Sequence, residues 1–324
     1  MKISICITIL NEEKFISNLL ISLARQTKRP DEIIIVDGGS KDKTVEIIRH
    51  FIKKDKIIKL FIEKGTIAHC RNISIELATG DIIATTDSGC IANKDWLEKI
   101  TYHFKHEKIG LIAGFYNMPY LNSLQEAIRV YLGILPQKFD QTFLPSARSV
   151  AFRKSVWEEV GGFNENLERG GEDTEFFYKC VKNGVKIIRE KSARVEWSEV
   201  KTLNLKTFLK KVYVYSKGDG QAKIWWHPTK QLSSHNIRIS AIFTRYLIGL
   251  FLFVYSFLDS HFFPYFIILI ILYLLYPIIK WKSLIRGNLA RLYLPIIQVL
   301  TDFVTMYGFL AGTIGIRSKN KKFQ

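Results

Sequence analysis

Polar residues that could bind a substrate follow three apolar runs of this 324-residue chain. Asp37, Asp87 and the pair Asn11-Glu12 each come directly after such a run. The carboxyl ends of parallel strands line the ligand crevice of an open α/β sheet, so these residues predict one shared site. Carboxylates in that site suit a metal-bound phosphate or the hydroxyl groups of a sugar.

The segments around these residues alternate between strand and helix patterns. Apolar runs predict strands at 3–10, 32–36, 57–62 and 82–86. Apolar residues at helical spacing separate these runs, which predicts an α/β domain with a mostly parallel sheet and helices on both faces. After Asp87 the pattern is mixed. It predicts a helix and two closing strands, at 172–182, 186–189 and 193–197.

The net charge of the chain limits the classes of partner that it is expected to bind. A net charge of +17 and a pI near 9.6 favour polyanions, which include nucleic acid, anionic lipid and phosphorylated substrates. No nucleic-acid motif is present, so a nucleic-acid-binding protein rests on charge alone, and a basic face on an anionic membrane is preferred. The four cysteines lack metal-ligand spacing and predict buried thiols in a reducing compartment.

Long apolar segments near the end of the chain predict membrane spans at about 239–258 and 262–279. The loop between them has no Lys or Arg, whereas basic residues follow the second span. The positive-inside rule therefore places the preceding domain in the cytoplasm. A third segment, 292–316, contains Asp302 and several glycines. It fits a third span, which would leave Arg317 outside against the rule, and equally an interfacial or re-entrant helix.

These patterns predict three parts of the chain. Residues 1–200 form the α/β domain, 201–236 an interfacial helix and loop, and 237–324 the membrane region. Lysines on one face of a helix near Phe208, and the pair Trp225-Trp226, are typical of a membrane interface.

The polar residues belong to short motifs in a fixed order. The motifs are Thr8–Glu13, Val36–Ser40, His69–Asn72, Thr85–Cys90, Gly161–Phe163 and Gly171–Asp173. Each is weak alone, but their order and spacing over about the first two-thirds of the chain resemble the inverting family 2 glycosyltransferases. The resemblance implies a GT-A-type fold, followed here by an α-helical membrane-anchoring region.

The resemblance also implies residue roles. The residues that would bind the nucleotide-sugar are Thr8, Asn11, Glu12, Asp37, Gly39, Arg71, Asp87 and Lys217. Asp37 would bind the base, and Asp87 the diphosphate and its metal. Asp173 would be the general base that deprotonates the acceptor hydroxyl, with Glu172 in support. Inverting transfer needs one such carboxylate opposite the leaving group.

The chain departs from the family pattern at two motifs. Asp87-Ser88-Gly89 replaces the usual Asp-x-Asp and supplies one carboxylate. With substrate phosphates, one carboxylate can still hold magnesium or manganese, and Lys or Arg could replace the metal. The Gln-x-x-Arg-Trp motif of processive synthases is absent. Tyr215–Gly220 stands in its place and predicts a turn that closes over the diphosphate with Lys217 as the cation.

The sequence therefore predicts a multi-pass cell-membrane glycosyltransferase with its catalytic domain in the cytoplasm. It would move a single sugar from a nucleotide-diphospho-sugar to a lipid-linked or glycan acceptor, without nucleic acid as a partner. The alternative is a catalytically degenerate membrane module that binds nucleotide-sugar. Simpler roles remain open for Asp37 as a turn former, Glu172-Asp173 as a helix cap and Arg71 as a surface ion pair.

Overall fold

The computed structural model describes residues 1–224 and 235–315, and within these the chain forms two compact units. The described residues of the first unit are 1–119 and 138–202; those of the second are 120–137, 203–224 and 235–315. The segment 120–137, predicted within the α/β domain, thus clusters with the second unit. The predicted aromatic pair Trp225-Trp226 and the basic residues from Arg317 onward lie outside the described residues.

One sheet organises the first unit. Its strands, named β1 to β8, are Ile3–Ile9, Glu32–Asp37, Ile58–Ile62, Ile82–Thr85, Cys90–Ala92, Leu111–Asn117, Val150–Arg153 and Ile187–Trp197. They lie in the order β3-β2-β1-β4-β7-β6-β8-β5. β1, β2, β3 and β4 are parallel neighbours, as the sequence predicted, and β6 is parallel to β8. β7 is antiparallel to both its neighbours, and β5 to β8, so the sheet is mixed.

The helices between the first four strands explain why those strands pair in parallel. In chain order they are α1 to α11: Ile16–Ala24, Thr44–Lys54, Ile67–Glu76, Trp96–Thr101, Ser123–Leu132, Lys154–Glu159, Glu172–Lys182, Leu205–Ala222, His235–Leu258, Phe263–Trp281 and Asn288–Thr313. Parallel neighbours need a crossover element, and α1, α2 and α3 supply it between β1 and β4. Every residue of β2 and β4 is buried, which places the core of the first unit along these strands.

Two details of the sheet differ from the sequence prediction. The two closing strands are one strand, β8, whose pairing with β6 shifts register between Ala113 and Phe115. The polar residues in its middle concealed this continuity. The short strand β5 has too few residues to give a sequence pattern, and its pairing with β8 forms it.

The second unit consists of helices within the described residues. Three segments are long and apolar enough to cross a membrane: Asn236–Leu258, Ser260–Trp281 and Asn288–Thr313. The third segment is one continuous helix. Inside the structure, 44% of its apolar 18-residue window is buried, compared with 6% of such a window in each of the other two segments. Whether it spans a membrane or lies at the interface stays a prediction.

Glycines allow α8 and α11 to pack with their backbones close together. A Cβ atom added at Gly312 would lie 2.1 Å from the carbonyl oxygen of Lys217, and one at Gly308 would lie 2.8 Å from that of Tyr213. On α8, a Cβ at Gly220 would lie 2.5 Å from the carbonyl oxygen of Phe309. Small residues at such positions are how apolar helices approach closely.

A buried carboxylate joins the three apolar helices. Asp302 of α11 accepts hydrogen bonds from Arg245 of α9 at 2.5 Å, Tyr273 of α10 at 2.6 Å and Gln298 at 2.8 Å. The Tyr273 hydroxyl also lies 2.9 Å from that of Tyr246 on α9. Charged groups inside apolar helix bundles are costly unless paired in this way.

Candidate active site

The first predicted cluster forms where β1 and β2 end. The carboxylate of Asp37 is buried and accepts hydrogen bonds from the backbone amides of Gly39 at 3.1 Å and Ser40 at 2.9 Å, and from the Ser40 hydroxyl. Gly39 has φ +97°, a left-handed conformation that favours glycine. Asp37 therefore closes its own turn, and its Oδ1, which accepts only the bond from the Ser40 hydroxyl among these three, keeps further acceptor capacity for a ligand.

The end of β1 is tied to the same turn. Asn11 has φ +57°; its amide donates to Ser40 Oγ at 2.8 Å, and its side chain accepts from the Lys41 amide at 2.8 Å. The Glu12 amide donates to Thr44 Oγ1 at 2.8 Å. Thr8, half-buried on β1, stands beside Val36 in the sheet register. The predicted nucleotide-pocket residues thus lie along two neighbouring strand ends.

The second cluster centres on Arg71 of α3. Its Nη1 donates to Glu172 Oε1 at 2.6 Å, and its Nη2 donates to Asp87 Oδ1 at 3.3 Å. The side chains of Arg71 and Glu172 are 8% and 6% exposed, whereas that of Asp87 keeps 34% exposure. Burial raises the pKa of Glu172, and the Arg71 guanidinium opposes that rise. Arg71 is therefore a buried bridge between two acids rather than a surface ion pair.

Asp173 follows Glu172 in the first turn of α7. The N-cap of this helix is Gly171 at φ +82°, so neither acid is the N-cap residue. Asp173 is half-buried, and its Oδ1 accepts a hydrogen bond from the Thr174 amide at 2.8 Å. A negatively charged group in the first turn of a helix interacts favourably with the helix dipole.

The loop before α7 is fastened to α3 beside Arg71. The Asn72 side chain donates to the Phe163 carbonyl at 2.9 Å and to Glu165 Oε1 at 2.7 Å, and it accepts from the Phe163 amide at 2.9 Å. His69 Nδ1 lies 2.8 Å from Glu165 Oε2. The hydrogen bond to Glu165 raises the pKa of His69, against the effect of burial. One face of α3 thus fixes both the acids and the loop that leads to them.

Arg148 was not predicted as a site residue, but it lies beside Asp87. Its Nε is 3.9 Å from Asp87 Oδ2, and its guanidinium carbon lies 3.8 Å from the ring centre of Trp197. It lies in the segment between α5 and β7. No spacing or motif marks it, because its position depends on β8 bringing Trp197 underneath.

Lys217 lies in the second unit, within α8, and is buried. The turn predicted at Gly218-Asp219-Gly220 is wrong, because these residues continue the helix. Gly220 serves the close packing of α8 against α11 instead of a change in chain direction. The role of Lys217 at the diphosphate stays a prediction.

A metal ion at this site would take most of its ligands from the phosphate groups of the substrate. Among the residues that the structure describes, no group of three or more His, Cys, Asp or Glu side chains could hold a metal ion. A Cβ at Gly89, where a second carboxylate would start, would lie 3.1 Å from Glu199 Cβ and 3.7 Å from Trp197 Cδ1. The half-exposed Asp87 fits a magnesium or manganese ion that shares its other ligands with phosphate oxygens.

Comparison with known proteins agrees with this geometry. Residues 4–161 match the model of "Glycosyl transferase family 2". The chain carries a family 2 glycosyltransferase domain. The matched residues contain the strand ends with Asn11, Asp37 and Asp87, together with Arg71 and Arg148, whereas Glu172 and Asp173 follow just beyond them.

Two curated glycosyltransferases are similar to this one over part of their length. Glycosyltransferase AglE of Haloferax volcanii is 31% identical over 181 residues, which cover 52% of this chain and 58% of the relative. The O-antigen chain rhamnosyltransferase RfbN of Salmonella typhimurium is 27% identical over 201 residues, which cover 58% of this chain and 63% of the relative. The chain thus spans less than two-thirds of the length of either.

A solved glycosyltransferase confirms the predicted fold class. The mannosyltransferase PcManGT of Pyrobaculum calidifontis, determined in complex with GDP-Man and Mn²⁺, superposes with a TM-score of 0.54 at 18% identity. The alignment covers 68% of this chain and 62% of that one. The chain therefore has the α/β fold of GT-A type that its motifs predicted.

Proposed function

We propose that the protein is a membrane-anchored inverting glycosyltransferase that moves one sugar from a nucleotide-diphospho-sugar to a lipid-linked or glycan acceptor. The observation that carries this proposal is the bridge that Arg71 makes between Asp87 and Glu172, with Asp173 next in the chain. This bridge connects Asp87, which can contact a diphosphate, to the N-terminus of α7, where Asp173 can act as the base. An inverting transfer requires both.

The proposed step uses these groups as follows. Asp173 accepts the proton of the acceptor hydroxyl while that oxygen bonds to the anomeric carbon of the sugar. The bond from this carbon to the diphosphate oxygen breaks, and its electron pair leaves with the nucleoside diphosphate. Arg71 lies where the new negative charge develops, and Glu172 holds the Arg71 guanidinium in place. A magnesium or manganese ion held by Asp87 and the phosphates would add Lewis-acid stabilisation.

The apolar helices support a membrane location with the first unit in the cytoplasm. The residues that connect α9 to α10, 259–262, include no Lys or Arg. Basic residues lie at the end of the second candidate span and after it, at Lys280, Lys282, Arg286 and Arg291. Under the positive-inside rule these basic residues stay in the cytoplasm. An acceptor on the cytoplasmic face, attached to a lipid or a growing glycan, is consistent with that arrangement.

The test measures nucleotide release by the detergent-solubilised chain from a panel of UDP-, GDP- and dTDP-sugars with a membrane lipid extract. Reactions contain manganese, magnesium or EDTA. Asp173→Asn should abolish release while nucleotide affinity stays nearly unchanged, because only the base is lost. Glu175→Gln, an acid in the same first turn, is the matched control and should keep activity. Equal loss of release and nucleotide binding in Asp173→Asn would contradict the assigned role.

A second candidate is a module that binds nucleotide-sugar without transferring it. The single carboxylate at Asp87-Ser88-Gly89, with Glu199 packed against Gly89, is the observation that favours it. Nucleotide binding without release from any donor in the panel would support this candidate over the enzyme.

A further inference from the structure

Two guanidinium groups flank the carboxylate of Asp87. Arg71 Nη2 lies 3.3 Å from Oδ1, and Arg148 Nε lies 3.9 Å from Oδ2. We propose that Arg148 is a diphosphate-binding residue that neutralises the leaving group of the transfer. This inference rests on the proposed function and assigns part of its donor site to a residue that the family motifs do not mark.

Aromatic packing orients Arg148. Its guanidinium carbon lies 3.8 Å from the ring centre of Trp197 and 5.2 Å from that of Tyr116, and its Nη1 donates to Ser146 Oγ at 3.1 Å. A planar guanidinium on an aromatic face loses little further freedom when it binds a phosphate, and its fork geometry matches phosphate oxygens. Its side chain keeps 14% exposure.

The local charges favour an added anion. Arg71 makes its shorter contact with Glu172, at 2.6 Å, and shares its charge with that buried acid. The 3.9 Å separation of Arg148 Nε from Asp87 Oδ2 is too long for a hydrogen bond between these two atoms. A diphosphate beside Asp87 would bring negative charge next to both guanidinium groups, and Arg148 could turn N–H donors toward it.

The packing at Gly89 links Arg148 to the missing second carboxylate. A Cβ at Gly89 would meet Glu199 at 3.1 Å and Trp197 at 3.7 Å. The Trp197 indole donates to Glu199 Oε2 at 3.1 Å, which fixes the ring on which Arg148 stacks. The Trp197 ring that helps to crowd a side chain at residue 89 therefore also places a cation near Asp87.

The test measures affinity by calorimetry on the full chain in detergent, with EDTA and with manganese. The probes are UDP, GDP and dTDP, each compared with its nucleoside. Arg148→Gln removes the charge but keeps a planar polar end, and Arg148→Lys keeps the charge. Arg29→Ala, which removes an exposed arginine paired with Asp55, is the control for net charge.

For the diphosphate that wild type binds best, Arg148→Gln should weaken affinity about 10- to 100-fold, the range of a charge-assisted hydrogen bond. Nucleoside affinity should change less than about twofold, the loss should persist in EDTA, and Arg148→Lys should recover part of it. Diphosphate affinity unchanged in Arg148→Gln, or an equal loss for nucleoside and diphosphate, would overturn the inference. If wild type binds no nucleotide, the proposed function fails as well.

Discussion

Arg71 and Glu172 form a buried ion pair, with 2.6 Å between Nη1 and Oε1, across 101 positions of the chain. The pair joins α3 to the first residue of α7, and because Arg71 also donates to Asp87, two contacts of one side chain hold Asp173 near Asp87. Buried ion pairs are seldom net stabilising, because both charges lose their hydration. Here the pair is better explained by the placement of α7, the helix that carries the proposed base Asp173, than by stability.

The first prediction concerns the cost of breaking this pair. Arg71→Met should lower the free energy of unfolding by about 3–5 kcal/mol, because Glu172 would be left buried without its cation. Thermal or chemical unfolding of the full chain in detergent measures the loss. The double variant Arg71→Met/Glu172→Gln should recover most of it, although it should remain inactive. A single variant as stable as wild type would show that water reaches Glu172.

The second prediction concerns the contact between His69 and Glu165. The hydrogen bond to Glu165 raises the pKa of His69 in the folded state, so protonation of the imidazole favours folding. This contribution is fully present below the unfolded-state pKa of about 6.5 and disappears as pH rises through the folded-state pKa. Wild type should therefore melt above His69→Gln at pH of about 5.5, by roughly 1–3 °C for a part-exposed pair, and equally with it at pH of about 9.

Two matched measurements keep the second prediction specific. His50→Gln, which replaces an exposed histidine of α2, is the matched control. Below pH of about 4.5 the advantage over His69→Gln should also decline. Hydrogen bonding from Asn72 and His69 lowers the pKa of Glu165. The Glu165 carboxylate becomes protonated as pH falls through this lowered pKa, and it then loses its charge interaction with His69. A difference that grows at alkaline pH would contradict the prediction.

The sequence predicted the strand ends because each bears a strong local signal. Asp37, Asp87 and Asn11 follow apolar runs that can only be buried strands, and parallel strands bring their carboxyl ends to one edge. The parallel half of the sheet followed from the same runs. The short β5 and the antiparallel placement of β7 did not, because they depend on pairing with β8 and β4 rather than on their own composition.

The residues that sequence reasoning missed depend on contacts distant in the chain. Arg148 is positioned by stacking on Trp197, and His69 is positioned by its hydrogen bond with Glu165. The incorrect prediction of a turn at Gly218-Asp219-Gly220 has the same origin. Glycines near a polar residue are typical of a turn, and only the neighbouring α11 shows that Gly220 serves helix packing.

The third prediction tests that helix packing. Gly312→Ala should lower the free energy of unfolding by roughly 1–3 kcal/mol, because the new methyl group would overlap the Lys217 carbonyl oxygen and force α8 and α11 apart. Gly249→Ala on α9 is the control, since a Cβ there meets nothing within 4 Å. Melting temperature in detergent compares the two. Equal melting temperatures would mean that α8 and α11 do not pack closely in the detergent-solubilised protein.

The fourth prediction concerns the carboxylate among the apolar helices. Arg245→Met should destabilise the second unit by at least about 2 kcal/mol, because Asp302 would keep two neutral donors, Tyr273 and Gln298, but lose its cation. Arg245→Met/Asp302→Asn should recover that loss, since an amide needs no counter-charge. Tyr273→Phe should cost less, because it removes a neutral hydrogen bond and leaves the ion pair intact.

Protease resistance and melting temperature in lipid nanodiscs, with the same variants in detergent, complete the fourth test. If these helices cross a bilayer, the loss in Arg245→Met should be larger in nanodiscs, where an uncompensated Asp302 cannot draw on water as readily. An equal or smaller loss in nanodiscs would place Asp302 in contact with solvent. The three helices would then lie at the membrane surface or pack against protein rather than span the bilayer.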